Sequence, residues 1–478
     1  MLKSNPARLL VILLLAVSLL HAGRARTHAQ SAPEPRREQL LNGLRILMLG
    51  RPGEQNVTLR MRIHSGAAFD LAGKEGQMAL LAGAFFDPNT REYVTEELNG
   101  RLEVKTSYDS IDVTLAGRLS DFERLLELLR NGVVNIQLTP EAVERVRAEA
   151  VKSASAASAS GAAAGEADRL VAARLFAPFP YARPVAGTAE SLARVERTDL
   201  MLARERFLNP DNATLVIVGD INPTRTLRIL RSSMGGWRKS DRAVPSTFRR
   251  PEPPDARTLV VGRPGAQEVE LRVAWRGLAR TDRDAAAVRL LEKIVRDRLN
   301  FTAPGASAVV RHEAMREGGI FKLGATLPSA AAAARTLEAA RKVVRDLSET
   351  GPTASELEAA KAAVVSAVNQ SSQGADSWAD AWLDEHTFNS TAIAPEQVVR
   401  SVNALNASEV QRVAARLFLH TPVASVAVGD PAQLREELAR TGGFEVFGEA
   451  AAQTGPPPPP KPVKPQPDNK PRLELKRP

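Results

Sequence analysis

The chain contains no cysteine. That excludes disulfides, thiol nucleophiles and lipid attachment at an amino-terminal cysteine, so a fold maturing outside the cytoplasm has to hold by packing alone. Histidine is scarce as well. Of six in 478 residues, His21 and His28 lie near the amino terminus, and His64, His312, His386 and His420 are scattered through the rest. Beyond residue 29 no stretch is apolar enough for long enough to span a bilayer. Nor does the body of the chain carry charge of one sign. The formal charge is +9, but Lys3, Arg8, Arg24 and Arg26 supply four positives with no acid before residue 30. Residues 455–478 add six cations against Asp468 and Glu474, so the body is left at 9 − 4 − 4, or +1. A phosphate-tracking surface, and with it a nucleic-acid partner, is not indicated.

What is present begins with an export pattern. Lys3 and Arg8 precede the apolar run Leu9 to Leu20, and small and polar residues follow up to Ala29, the order of a secretory signal. Residues 1–29 are therefore expected to be a signal peptide, with an uncleaved anchor as the alternative. The expected location is periplasmic or secreted, with no stable membrane span once the signal is removed. The length favours two domains of roughly 200 residues.

An internal repeat divides the body. Residues 51–60 read RPGEQNVTLR and residues 263–272 read RPGAQEVELR, an offset of 212 (263 less 51). A second matching pair is Leu215 to Asp220 (LVIVGD) and Ser425 to Asp430 (SVAVGD), at an offset of 210 (429 less 219). Alternating strand-like runs at Val57 to Ile63, Ile111 to Leu115, Val269 to Trp275 and Phe321 to Leu327 are interleaved with helical periodicity. Helices are expected at Gln77 to Phe86, Ser120 to Arg130, Pro140 to Phe176, Ala285 to Val295, Ser329 to Leu347 and Ala354 to Asn369. Leu337, Ala340, Val344 and Leu347 fall on one helical face, as a core stripe does. The class is α+β, with domains expected at 38–235 and 256–445. The Pro, Ser and charge-rich segment 236–255 is read as a linker, and 455–478 as a Pro-rich solvated tail.

Two further segments carry a resemblance. Phe179 to Thr188 reads FPYARPVAGT, and Phe207 to Asp220 reads FLNPDNATLVIVGD. Together with the duplication, this resembles the insulinase-like (pitrilysin) zinc peptidases over roughly residues 38–445. The resemblance implies two duplicated domains, each an antiparallel-rich sheet backed by helices, enclosing a peptide chamber. Fold by itself does not set function. Active members carry H-x-x-E-H after a Gly-Lys-x-Gly loop, two histidines for zinc and a glutamate as base. Here the loop is Gly73-Lys74-Glu75-Gly76, and the motif positions hold Ala79, Ala82 and Gly83. A methyl group or a hydrogen neither binds zinc nor accepts a proton.

No other set of residues rebuilds the site in the sequence. His312-Glu313 is followed by Arg316 where a second ligand would stand, and Asp384-Glu385-His386 lacks a second histidine. His64 follows a strand as a lone histidine, and Glu149 lies where the family's distal ligand would be sought. The Arg and Tyr that grip substrate in the family fall near Arg298 and Ala308, so the tyrosine is missing too. The resemblance therefore implies a non-catalytic homologue with no zinc, no catalytic residues and an unknown substrate-binding set. A partner subunit for a zinc-bearing relative handling peptides in the cell envelope is the leading expectation. A stand-alone peptide-binding or scaffold protein is one alternative, and a metallopeptidase with a relocated site another.

Overall fold

The segment Ala213–Gly219 is buried at every residue. A strand apolar on both faces must be covered from both sides, and that requirement organises the fold. The computed structural model describes residues 33–159, 163–240, 248–299, 307–372, 374–391 and 394–447. The expected signal segment, the Pro-rich tail and residues 241–247 of the expected linker lie outside these.

Two six-stranded sheets form among the described residues. The first runs β1 (Arg36–Gln39), β2 (Arg45–Gly50), β6 (Ala213–Gly219), β3 (Asn56–Ile63), β5 (Ile111–Arg118), β4 (Arg101–Thr106). The second runs β12 (Phe444–Val446), β7 (Thr258–Gly262), β11 (Val423–Gly429), β8 (Val269–Gly277), β10 (Gly319–Leu327), β9 (Ser307–Ala314). Both are mixed but mainly antiparallel: β2–β6 and β7–β11 are parallel, and β3, β5 and β4, like β8, β10 and β9, pair antiparallel. The registers repeat as well, with Leu59 opposite Ile217 in one sheet and Leu271 opposite Ala427 in the other. The copies differ at one edge, where β1 is antiparallel to β2 and β12 parallel to β7.

The helices used below are α1 (Gln77–Gly83), α2 (Phe122–Leu129), α3 (Pro140–Ala159), α4 (Ala163–Phe176), α5 (Arg197–Phe207), α6 (Ala285–Leu299), α7 (Ala330–Glu349), α8 (Ala354–Ser371), α9 (Ala375–Phe388) and α10 (Ala407–Phe418). Met78, Leu81, Leu125, Leu129, Leu200 and Phe207 from α1, α2 and α5 close one core with the first sheet. Leu291, Ile294, Val413 and the stripe Leu337, Ala340, Val344 and Leu347 close the other. Of the expected helix over Pro140 to Phe176, the described residues form α3 and α4, and residues 160–162 between them lie outside the described residues.

The second face of each sheet is covered by a helix from the other half. Ala379, Trp382 and Leu383 of α9 bury against Leu47, Leu49, Val216 and Val218 of the first sheet. Ala167, Leu170 and Val171 of α4 bury against Leu259, Val261, Val426 and Val428 of the second. The three α4 positions and the three α9 positions stand 212 apart (379 less 167), so the exchange is reciprocal and follows the repeat. Ion pairs repeat with it. Arg60 meets Asp380 at 2.6 Å, and Arg272 meets Asp168 at 3.0 Å, again at positions 212 apart (272 less 60). Inside the α9 contact the buried Arg62 holds Asp112 at 2.5 Å and Asp384 at 2.6 Å. Burial opposes that charge, but the two carboxylates outweigh it and raise the guanidinium above its usual range. Each large apolar side chain buried in these contacts contributes about 1.5–3 kcal/mol, and removing one partner of a buried ion pair costs about 3–5 kcal/mol.

The linker end is held down as well. Phe248 stacks on Phe69 at 5.7 Å and on Phe179 at 5.5 Å, and the Glu252 N–H donates to the Ala177 carbonyl. A chain cut at a site-specific protease sequence introduced within residues 241–247 should therefore elute from a sizing column as one species and separate only in denaturant. Separation in plain buffer would contradict the exchange.

Candidate functional site

Helix α1 is short and is held from outside rather than by its own length. Gly76, which caps its N-terminus, has φ +91°, and the buried Asp70 carboxylate accepts from the Gly76 N–H at 2.7 Å and the Met78 N–H at 2.8 Å. Burial pushes the Asp70 carboxyl up to about 7, against those two hydrogen bonds. Lys74 pairs with Asp199 at 2.6 Å, and the Gln77 amide donates to the Asp199 carbonyl at 2.9 Å. The loop Gly73 to Gly76 is thus tied to α5.

The FPYARPVAGT segment supplies the second tie. Gly187 (φ +76°) approaches the loop so closely that a Cβ there would stand 2.4 Å from the Glu75 carbonyl oxygen. A Cβ on Gly76 would meet Ala186 O at 2.8 Å, so glycine is required on both sides. The Arg183 guanidinium donates to the Asp70 carbonyl at 2.9 Å, and Ser191 Oγ to the Glu75 carbonyl at 2.8 Å. Tyr108 OH donates to the Arg183 carbonyl at 2.7 Å, and burial pushes that phenol up to about 12. Tyr181 packs edge-on against Phe176 and Phe179 and accepts from the Glu317 N–H at 3.1 Å, while the Arg316 N–H donates to Asp109 at 2.9 Å. The segment that carries the sequence resemblance therefore positions α1 and ties it to the second half.

A cavity of about 980 Å³ opens beside α1, walled by α3, α4 and the 186–188 loop, with Arg263 reaching in from the second half. Ala79 and Gly83, one helical turn apart, line it, whereas Ala82 is 2% exposed and turned into the core. Glu149 lies on the same wall, on α3, as an exposed carboxylate. The structure thus gathers Ala79, Gly83 and Glu149 and leaves Ala82 out. A zinc ion does not fit this donor set. Glu149 is its one donor, and a Cβ on Gly83 would already stand 3.2 Å from Val146 Cγ1, so α3 packs against the helix where a ligating side chain would have to emerge.

The histidines lie elsewhere. His64 is buried, with Nδ1 3.0 Å from Thr387 Oγ1 and Nε2 2.9 Å from Thr214 Oγ1. Burial, reinforced by Arg62, holds it well below the usual imidazole range. His312 Nε2 accepts from the Leu278 N–H at 3.1 Å and is pushed down to about 4 by burial. His386 lies 3.3 Å from the Arg37 guanidinium, and His420 is exposed. Among the described residues no group of three or more metal-ligating side chains comes together. Arg298 is bound to Glu356 at 2.8 Å and to the Gly351 carbonyl at 3.1 Å, and Ala308 on β9 pairs with Ala325 on β10. Sequence reasoning missed Arg145 and Arg169, which line the cavity from α3 and α4. The spacing of Arg145 and Glu149 puts them on one helical face, but nothing in it shows which helix lies opposite.

The closeness of Gly187 and Gly76 gives a direct test of the tie. Gly187→Ala should destabilise the protein by about 1–3 kcal/mol through a strained φ and the clash at Glu75, read as a lowered urea midpoint. An unchanged midpoint would mean that the loop contact does not hold α1.

Comparison with known proteins agrees with the geometry. Residues 194–364 match the family model described as the peptidase M16 inactive domain. No curated protein sequence matches the chain. Among solved structures, a protease from Helicobacter pylori is similar with a TM-score of 0.73 at 16% identity, covering 83% of this chain and 99% of its own. A peptidase M16 inactive domain from Pseudomonas fluorescens has a TM-score of 0.72 at 17% identity, covering 83% and 98%. A chain of complex III2 from Candida albicans, with Inz-5 bound, has a TM-score of 0.67 at 13% identity, covering 84% and 99%. No helix among the described residues is long and apolar enough to cross a membrane. The chain thus shares the two-sheet fold of M16-like structures, resembles the peptidase M16 inactive domain over residues 194–364, and carries no zinc donor at Ala79, Ala82 or Gly83 on α1.

Proposed function

We propose that this chain is the non-catalytic partner subunit of a zinc-bearing insulinase-like peptidase that handles peptides in the cell envelope. The observation that carries the reading is what has been kept around α1. Asp70, Lys74, Asp199, Arg183, Ser191 and the facing glycines Gly76 and Gly187 all hold the helix in place. The positions read as ligands, Ala79, Ala82 and Gly83, have no donor atoms. A scaffold that maintains a cavity without chemistry is useful where another half-chamber closes over it. The Candida albicans neighbour, itself a chain of a larger complex, supports a subunit role for this fold. Export rests on the order of charge, apolar run and small residues in 1–29.

Two measurements test this reading. Coexpression with a motif-bearing relative should give a complex that survives size exclusion at micromolar concentration and raises the relative's peptidase activity or stability. A stable pair of this kind buries more than about 1,000 Å². A relative equally active alone, with no complex, would remove the proposal. Separately, the purified chain, stripped with chelator and dialysed against zinc, should retain well under one zinc per chain. One zinc per chain, lost on Glu149→Gln or His64→Gln, would instead establish a relocated site.

A further inference from the structure

The cavity beside α1 has a character of its own, apart from any partner. Its walls are apolar at Ala79, Leu80, Gly83, Phe86, Val146 and Ala150. Its charge is not balanced. Arg263 is occupied by Glu166 at 2.8 Å and Arg91 donates through Nε to the Phe86 carbonyl at 3.2 Å, which leaves Arg145 and Arg169 facing the space with the single unoccupied carboxylate of Glu149. Neither of these two guanidiniums makes a hydrogen bond or ion pair among the described residues. The Nε of Arg263 is buried and has no hydrogen-bond partner there. An apolar hollow of this size with a few converging polar groups is the usual form of a small-molecule site, and guanidiniums favour carboxylates as partners.

The walls also discriminate between occupants. They are helices α1, α3 and α4, the short helices Pro88–Glu92 and Ala189–Ala193, and loops, and no strand residue lines the space. Helical backbone is already hydrogen-bonded within itself, so an extended peptide in this cavity would find no edge for its amides, and burying unpaired amides is costly. An apolar chain has no such groups to satisfy.

We propose that this cavity binds an amphipathic monocarboxylate, with the carboxylate at Arg145 and Arg169 and the hydrocarbon chain along Ala79, Val146 and Ala150. The site goes beyond the partner reading and does not depend on it. No bond is made or broken in it.

The test is calorimetric titration of the full chain with dodecanoate below its micelle concentration. One dodecanoate should bind per chain with micromolar affinity, and octanoate at least tenfold more weakly because fewer methylenes leave water. Dodecyltrimethylammonium, with the same chain and the opposite charge, should bind at least tenfold more weakly. The Arg145→Gln/Arg169→Gln double variant should lose at least tenfold in dodecanoate affinity with its thermal midpoint unchanged, and Ala79→Phe should abolish binding by filling the space. If Ala79→Phe does not fold, the double variant, altered only at exposed residues, decides. The proposal is overturned by the absence of saturable heat, by equal binding of the cationic amphiphile, by an unaffected double variant, or by an acidic apolar peptide binding where dodecanoate does not.

Discussion

The structure depends on a mutual covering of sheets. Each half makes a sheet whose central strand, β6 or β11, is apolar on both faces, and each half's own helices cover only one of them. The other face is closed by α4 or α9 from the opposite half. A half by itself would leave a broad apolar surface in water, so the two sequence copies are obliged to fold as a pair. The repeated Arg–Asp contacts, Arg60 with Asp380 and Arg272 with Asp168, fix the register of that exchange at its polar rim. These pairs are partly exposed and contribute little individually, so their effect is on orientation more than on net stability.

The covering also places the cavity. Helix α4 lies across the second sheet and presents Glu166 and Arg169 towards α3 and α1, while Arg263 enters from the loop after β7. The cavity therefore has walls from both halves although its floor, α1, belongs to the first. Around α1 the retained contacts are mostly with backbone atoms: Asp70 to two N–H groups, Arg183 and Ser191 to carbonyls, Gly187 against Glu75. Such contacts hold a helix whatever its exposed side chains are. That is how Ala79 and Gly83 can stand on an ordered wall without donor atoms.

Much of this was legible in the sequence, and for physical reasons. Strand periodicity of two and helical periodicity near 3.6 are local properties, and so β3, β5, β8, β10, α7 and α8 could be read from the chain. The duplication was visible because RPG-type turns need a glycine at positive φ, met at Gly53 and Gly265, whose N–H groups are each held by the Asp of the paired Gly-Asp turn, Asp220 and Asp430. The absence of zinc donors at Ala79, Ala82 and Gly83 followed from residue type alone. The roles of Tyr181 and Gly187 were hidden, because FPYARPVAGT shows neither the Glu75 carbonyl it abuts nor the second-half residues, Arg316 and Glu317, that close on it.

By itself the sequence determined the class of fold, the repeat and the absence of ligands on α1, all of them consequences of side-chain chemistry and short-range periodicity. Only the tertiary structure decided which helix covers which sheet, because the apolar positions of α4 and α9 do not name their partners and the choice is made by packing between the two halves. It decided too that Ala82 faces the core and Gly83 the cavity, a matter of how α3 lies against α1. And it decided that Arg145 and Arg169, far apart in sequence, face one apolar space, since charge gathers in a site only when the backbone brings separate helices together.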